Sequence, residues 1–349
     1  MYLFILFKMQ KKIFQVKAPQ ETSVILTGLS CPAAACVLRR LLRDGVFCVM
    51  LHRIGEKDPT RLPPNEDMKV STSFLERFIV DAKRKGFSFL SVSQLHAALT
   101  GEGPWPFRSL VLTLDDGYRD NLTEGLPLFE RHGVPFTIYL STAFIGSSCV
   151  PWWYGLEGLL SSRPAVLWGG RTWDIRSGPE KSRLFMQIRG QALLADQGSE
   201  AYVSELYKDN DYDCRSAEGL FLTWDEVRAL RSHPLAELGN HGHRHLNLQM
   251  VSREAVCREF SLAKEEIARQ TGCVPVHYAY AYGLFSDEAL SVVREMGALT
   301  CMTTAPGRVS RNDGEKLWTL PRFMLYEGMS VDDLLARSAY VSLRRGLRG

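Results

Sequence analysis

The sequence predicts an α/β fold in which strands and helices alternate around a parallel sheet. From residue 46 onward, short apolar runs alternate with segments whose apolar residues recur at helical spacing, which is the pattern of repeated βα units. The chain has 349 residues, of which 45% are hydrophobic, and single barrel domains commonly reach about 250 residues. We therefore expect one main domain with appendages.

Six strands are predicted from short apolar runs bounded by turn or capping residues. They cover residues 46–51, 109–114, 135–141, 235–240, 276–280 and 298–303. A Ser-Thr-Ser sequence at residues 71–73 can cap a helix that ends at Gly86, and a second helix ends at Gly133. Further helices are predicted at residues 180–194, 252–270 and 286–296.

The main domain is predicted to cover residues 46–325, between an N-terminal helical extension at 1–45 and a C-terminal tail at 326–349. Within the main domain, residues 149–231 break the alternation of strands and helices. Because a long interruption of this kind is unusual inside a compact domain, we interpret residues 149–231 as an insertion.

Charge and cysteine content narrow the class of protein. The formal net charge is only +3 and the basic residues are scattered, so no surface for nucleic acid is indicated. The eight cysteines form no CxxC pair, and a disulfide framework is not expected in a chain of this size. We predict buried thiols in a reducing compartment.

The sequence of the N-terminal segment is compatible with more than one cellular location. Residues 2–7 are apolar but too few to span a membrane. An uncharged run at residues 22–38 ends at Arg39 and Arg40, and we interpret it as a helix packed on the barrel exterior or as a membrane-surface segment. A cytoplasmic or membrane-associated protein is favoured over a secreted one, although export stays open.

Two polar clusters follow predicted strands, at the edge where the active sites of β/α barrels lie. The first is T-L-D-D-G at residues 113–117, in which Asp115 and Asp116 are adjacent and Gly117 permits a tight turn. One carboxylate could bind a metal ion while the other faces a substrate. The alternative interpretation is a simple turn.

The second cluster is H-G-H-R-H at residues 241–245, directly after a predicted strand. If the chain turns helical there, His241 and His245 lie one turn apart on the same face and can share one metal ion, while His243 points elsewhere. Two histidines and one carboxylate leave open coordination positions, as a hydrolytic metal site requires. A solvated histidine-rich loop is the alternative.

These clusters resemble motifs of the NodB homology domain of carbohydrate esterase family 4, the polysaccharide deacetylases. Residues 113–117 are similar to its T-F-D-D-G motif, and residues 241–245 to its H-S/T-x-x-H motif, with Gly242 in place of the hydroxyl residue. Y-A-Y-A-Y-G at residues 278–283 resembles the family's F-A-Y-P-Y-G motif. V-M-L-H-R-I at residues 49–54 is similar to the Y-H-R-I strand that opens many members, and L-P-R at residues 320–322 to a closing element.

The resemblance implies a distorted (β/α)7-type barrel and a deacetylase of acetylated amino-sugar glycans. It implies Zn²⁺, or another divalent transition metal, as cofactor, with Asp116, His241 and His245 as metal ligands. It further implies Asp115 as general base and the backbone N–H of Tyr282 as an oxyanion donor. Trp152 and Trp153 in the insertion are interpreted either as simple packing or as sugar-stacking surfaces.

Two departures from the family pattern affect the catalytic assignment. The arginine that orients the base is missing from residues 273–276, and Arg322 is the candidate to replace it. The C-terminal histidine that acts as the acid is also missing, so His52 and His277 are the candidates for that role. Alternative functions are a zinc amidohydrolase or O-acetyl esterase with a smaller substrate, and a non-catalytic glycan-binding module that retains the metal.

Overall fold

A computed structural model describes residues 45–147, 149–196, 198–214 and 219–346. The described residues divide into two units, residues 45–329 and residues 330–346. The predicted N-terminal helix or membrane-surface segment lies outside the described residues. In the described chain, no helix is long and apolar enough to cross a membrane.

Twelve strands occur in residues 45–329. In chain order they are β1 (Val46–Leu51), β2 (Arg53–Ile54), β3 (Lys69–Val70), β4 (Ser88–Leu90), β5 (Ser109–Asp116), β6 (Phe136–Leu140), β7 (Ala165–Trp168), β8 (Arg171–Asp174), β9 (Ala236–Asn240), β10 (His277–Ala279), β11 (Thr300–Met302) and β12 (Phe323–Met324).

The helices also follow in chain order, the last of them in the second unit. They are α1 (Pro63–Glu66), α2 (Thr72–Arg84), α3 (Val92–Thr100), α4 (Leu126–His132), α5 (Trp152–Ser162), α6 (Gly178–Ala192), α7 (Ser199–Asp209), α8 (Trp224–Arg231), α9 (Arg253–Thr271), α10 (Asp287–Glu295) and α11 (Val331–Gly346).

The main sheet is parallel and curls around a buried interior. Its strand order is β11-β10-β9-β6-β5-β1-β12, and β4 pairs with the first residues of β5. A bridge between Met302 and Leu320 connects the segment before β12 to β11, so the two ends of the sheet approach each other. The predicted α/β class and distorted barrel are confirmed.

The sequence located the main strands to within two residues. All six predicted strands are present, and β5 extends two residues beyond its predicted end to include Asp115 and Asp116. The strands that were not predicted have four residues or fewer, too short for an alternating pattern to be recognised. They are β2, β3, β4, β7, β8 and β12.

The barrel interior and the region between β6 and β9 have separate cores. Inside the barrel, Cys48, Val111 and Met302 belong to one buried cluster, as expected for strands covered on both faces. Between β6 and β9, which pair directly, the chain forms the antiparallel hairpin β7–β8 and helices α5 to α8. There, Leu159 and Phe185 belong to a second cluster.

The cysteines partly differ from the prediction. Six of them fall within the described residues and all six are free thiols, but only Cys48 and Cys301 are buried. The prediction of buried thiols is wrong for the four half-buried ones, which lie in loops or near the ends of helices. These are Cys149, Cys214, Cys257 and Cys273.

Glu237 in β9 connects the barrel to helix α3. Its carboxylate accepts hydrogen bonds from the backbone N–H of Val92 at 3.1 Å and from Thr137 Oγ1 at 2.7 Å. Burial raises its pKa, but hydrogen bonds from His277, Ser93 and Thr137 outweigh burial and lower the pKa to about 2. The ionised form therefore stabilises the fold.

We expect the Glu237→Gln variant to lose about 1 to 3 kcal/mol of unfolding free energy at pH 7. Because the pKa of Glu237 is lowered in the folded state, its ionised carboxylate stabilises the fold fully only above pH 4.5. This stabilisation decreases as the pH falls towards about 2. Urea denaturation at pH 7 and pH 4 measures the loss of unfolding free energy, with Glu205→Gln, at an exposed position of α7, as control. Equal losses at both pH values would contradict this account.

Candidate metal centre

The site lies at the edge of the sheet where the parallel strands end. Asp115 and Asp116 are the last residues of β5, His241 directly follows β9, and His52 directly follows β1. Since parallel strands point the same way, their carboxyl ends place these polar side chains together. The structure thus brings both sequence clusters to one location.

Three of the predicted residues converge on one point. Asp116 Oδ1 lies 3.4 Å from His241 Nε2 and 3.2 Å from His245 Nε2. Three ligand atoms in tetrahedral positions about 2.1 Å from an ion are about 3.4 Å apart. The spacing therefore fits a single divalent transition metal, and all three side chains are buried.

Hydrogen bonding leaves the converging atoms free to bind an ion. His241 Nδ1 lies 2.7 Å from the carbonyl oxygen of Ala279, so Nδ1 carries the proton and Nε2 offers its lone pair. Asp116 Oδ1 is buried with no hydrogen-bond partner among the described residues. An unpaired buried carboxylate oxygen is costly without a cation, which supports the fit of a metal ion.

The histidine motif does not form the helical turn that the sequence predicted. Residues 241–245 have no helical structure, and His245 adopts a left-handed conformation with φ 59°. Gly242 precedes it with φ 86°, so the chain bends back where a helix would continue. The imidazoles nevertheless lie close, with ring centroids 4.8 Å apart. The expectation of convergence is confirmed, but through an irregular loop.

Left-handed backbone also occurs at two other positions of the site. Asp116 has φ 78° and Tyr282 has φ 58°, although neither residue favours this region. Such conformations cost about 1 to 3 kcal/mol each and concentrate at functional sites. The site thus stores strain in the residues that the sequence motifs identified.

Asp115 forms a bidentate ion pair with Arg322. Arg322 Nη1 and Nη2 donate to its two carboxylate oxygens at 2.7 and 2.8 Å. Arg322 is completely buried and also donates to Thr113 Oγ1 and to the carbonyl of Thr303, both at 3.0 Å. Burial raises the pKa of Asp115, but the guanidinium outweighs burial and lowers it, so Asp115 stays ionised beside the three converging side chains.

His52 faces the same centre. Its Nδ1 is buried without a hydrogen-bond partner in the described part of the chain. Burial lowers its pKa, while the charges of Asp116 and Asp115 act in the opposite direction. His277 lies elsewhere, because it begins β10 at the opposite end of the strands and contacts Ser93 and Thr300. His277 is therefore excluded as the acid.

Tyr282 and two tryptophans form one wall of the site. The ring of Tyr282 lies 4.3 Å from that of His245, and its hydroxyl accepts a hydrogen bond from Trp152 Nε1 at 2.9 Å. Trp153 is half-buried and meets His245 edge to face at 5.1 Å. Trp152 therefore packs and positions Tyr282, whereas part of the surface of Trp153 stays exposed.

Sequence reasoning missed the groups that support the site. Thr113 in β5 accepts from Arg322 with its hydroxyl, and a hydroxyl in an otherwise apolar strand was the available signal. Thr303 accepts from Arg322 with its backbone carbonyl. The carbonyl of Ala279, which orients His241, left no signal because every residue carries the same group.

Comparison with known proteins identifies the family and the fold. A model of the polysaccharide deacetylase family matches residues 102–300, more than half of the chain. No curated protein sequence matches the chain.

Three solved structures have the same fold at low sequence identity. The Streptococcus pyogenes deacetylase PplD in complex with acetate is 15% identical, with 85% of this chain and 99% of that chain covered and a TM-score of 0.58. IcaB from Ammonifex degensii is 12% identical, with 85% and 97% covered and a TM-score of 0.55. A de-N-acetylase from Aggregatibacter actinomycetemcomitans is 15% identical, with 84% and 100% covered and a TM-score of 0.53.

Replacing Arg322 tests the buried ion pair. We expect Arg322→Met to lose about 3 to 5 kcal/mol of unfolding free energy, because Asp115 would be left buried without its cation. Chemical denaturation at neutral pH measures the loss, and Arg183→Met on the exposed side of α6 serves as control. A loss below about 1 kcal/mol would show that water or another group compensates Asp115.

Proposed function

The chain belongs to the polysaccharide deacetylase family, and from this premise we propose that it is a metal-dependent deacetylase that hydrolyses the N-acetyl groups of GlcNAc-type units in a glycan. The observation that carries the proposal is the convergence of Asp116, His241 and His245 beside an ionised Asp115. Carboxylate and imidazole ligands with open positions favour hydrolytic chemistry.

Zn²⁺ is the proposed cofactor, held by Asp116 Oδ1 and by the Nε2 atoms of His241 and His245. When bound, such an ion supplies a Lewis acid and lowers the pKa of a water molecule to about 7. Other divalent transition metals suit the same ligands, since imidazole and carboxylate do not select strongly for zinc. Elemental analysis of the purified protein identifies the metal.

Asp115 is the proposed general base. Its Oδ2 lies 4.0 Å from His241 Nε2, so one carboxylate oxygen faces the centre of the site while Arg322 holds the carboxylate plane. Because the pKa of Asp115 is lowered, the group is ionised at neutral pH and can accept a proton from the attacking water. Arg322 fixes the orientation that the transfer requires.

Two further groups complete the proposed mechanism. The backbone N–H of Tyr282, on the wall beside His245, would donate to the oxygen that gains negative charge as the acetamide carbonyl is attacked. His52 would protonate the departing nitrogen, so that acetate and a free amine are released. His52 suits this role because its imidazole lies close enough to Asp116 and Asp115 for their charges to act on its pKa, and its Nδ1 has no hydrogen-bond partner among the described residues.

The substrate is proposed to be a neutral acetylated amino-sugar unit. Trp153 offers a half-buried indole next to His245, and sugar rings stack well on such faces. Acetate release from chitooligosaccharides, from a small N-acetyl amine and from an O-acetyl sugar separates the three substrate classes. Metal binding without acetate release from any of them would favour a glycan-binding module instead.

The Asp115→Asn variant tests the base. We expect it to retain the metal, because the ligands are unchanged, and to lose about 10²- to 10⁴-fold in kcat, the usual contribution of a positioned base. Metal content and acetate release are measured together, with Asp67→Asn, which is exposed and paired with Lys57, as control. Activity close to that of the unaltered protein would exclude Asp115 as base.

The His52→Ala variant tests the acid through the leaving group. We expect a loss of about 10²-fold or more with an N-acetyl substrate, but much less with a phenyl acetate, whose leaving group needs no proton. His132→Ala on α4, where the imidazole contacts Glu76, serves as control. Equal losses with both substrates would assign His52 a role other than proton donation.

A further inference from the structure

The loop that carries His241 and His245 is held by hydrogen bonds to a buried carboxylate. Glu259 lies on α9 and is only 4% exposed. Its Oε1 accepts hydrogen bonds from the backbone N–H groups of Arg244 at 2.7 Å and Leu246 at 3.3 Å. These two residues flank His245, so one oxygen atom fixes the backbone on both sides of a metal ligand.

The carboxylate of Glu259 is bound by backbone rather than by a cation. In the part of the chain that the structure describes, no lysine, arginine or histidine side chain forms an ion pair with Glu259. Burial raises its pKa, and the backbone N–H groups of residues 243–246 lower it in part. Burying a carboxylate without a cation is costly, and the loop amides are the compensation that this structure provides.

Gly242 makes the close approach of Glu259 possible. A Cβ atom at position 242 would lie 2.6 Å from Glu259 Oε1, and the residue also has φ 86°. Any side chain here would push against the carboxylate and strain the backbone. Position 242, where the family motif has a hydroxyl residue, therefore holds glycine. The carboxylate of Glu259 on α9 occupies the adjacent space.

A second contact ties the same loop to the same helix. Asn240 Oδ1 accepts from the backbone N–H of Gly242 at 2.8 Å, and Asn240 Nδ2 donates to the carbonyl of Phe260 at 3.1 Å. The loop is thus bound to adjacent residues of α9, at one point through Asn240 and at the other through Glu259.

We propose that Glu259 is the positioning residue of the metal-binding loop, setting the left-handed conformation of His245 before any ion binds. The inference rests on the proposed function only in taking His241 and His245 as metal ligands. Glu259 acts through the backbone and touches neither the ion nor the substrate. Without it, the energy needed to order the loop must come from metal binding, and metal affinity falls.

Metal titration of two variants separates positioning from general stability. We expect Glu259→Met, whose side chain has a similar length but no oxygen to accept from the loop amides, to bind Zn²⁺ about 10- to 100-fold more weakly than the unaltered chain, the usual effect of losing an outer support of a ligand. Ile267→Ala removes a buried side chain further along the same helix, outside the cluster against which Leu246 packs, so it should lower Tm but leave the affinity unchanged. Calorimetric titration of the metal-free proteins gives both affinities.

Unaltered Zn²⁺ affinity in folded Glu259→Met, or an equal loss in Ile267→Ala, would overturn the proposal. Hydrogen exchange on the unaltered, metal-free protein provides a test that needs no variant. The amides of Arg244 and Leu246 should exchange slowly, because Glu259 already binds them. Rapid exchange without metal would show that the loop is not preformed, and would contradict the inference.

These measurements do not depend on deacetylation. If the chain binds Zn²⁺ with the expected difference between variants but releases no acetate, the proposed function fails while the role of Glu259 stands. If acetate is released and the affinities of the variants do not differ, the proposed function stands while the role of Glu259 fails.

Discussion

The ion pair between Arg322 and Asp115 connects the two parts of the barrel on which the site depends. Asp115 is the second-last residue of β5, and Arg322 lies in the segment that joins β11 to β12 and brings the ends of the sheet together. Removing a carboxylate from water costs several kcal/mol unless an opposite charge with good geometry compensates it. The pair therefore allows a charged carboxylate to lie buried at the end of the sheet, and it requires the sheet to close.

The site is built largely from unfavourable local conformations that tertiary contacts maintain. Asp116 and His245 both have left-handed backbone, so the ligand set would relax if the chain around it were free. Glu259 and Asn240 hold the histidine loop against α9, and the pairing of β5 with β6 continues to Asp116. Function here is a product of packing around the ligands as much as of the ligands themselves.

The sequence was informative where the signal is local and silent where it is not. Apolar runs located the main strands, and adjacent motif residues identified Asp116, His241 and His245. Arg322 could only be a candidate, because its partner lies 207 residues away and no pattern in one segment reports a contact with another. The helical turn was wrongly predicted at residues 241–245, since spacing of four residues does not reveal that Gly242 and His245 have positive φ.

At both positions where the chain departs from the family pattern, a side chain from another part of the chain lies at the site instead. Residues 273–276 contain no arginine, and Arg322 instead forms the ion pair with Asp115 from the segment before β12. The hydroxyl missing at Gly242 leaves the space that Glu259 occupies. In both cases the group comes from a distant part of the chain. Arg322 places a positive charge beside Asp115, and Glu259 provides an acceptor for the backbone of the histidine loop. Because such contacts form only after long-range pairing, the site is complete only when the barrel is complete.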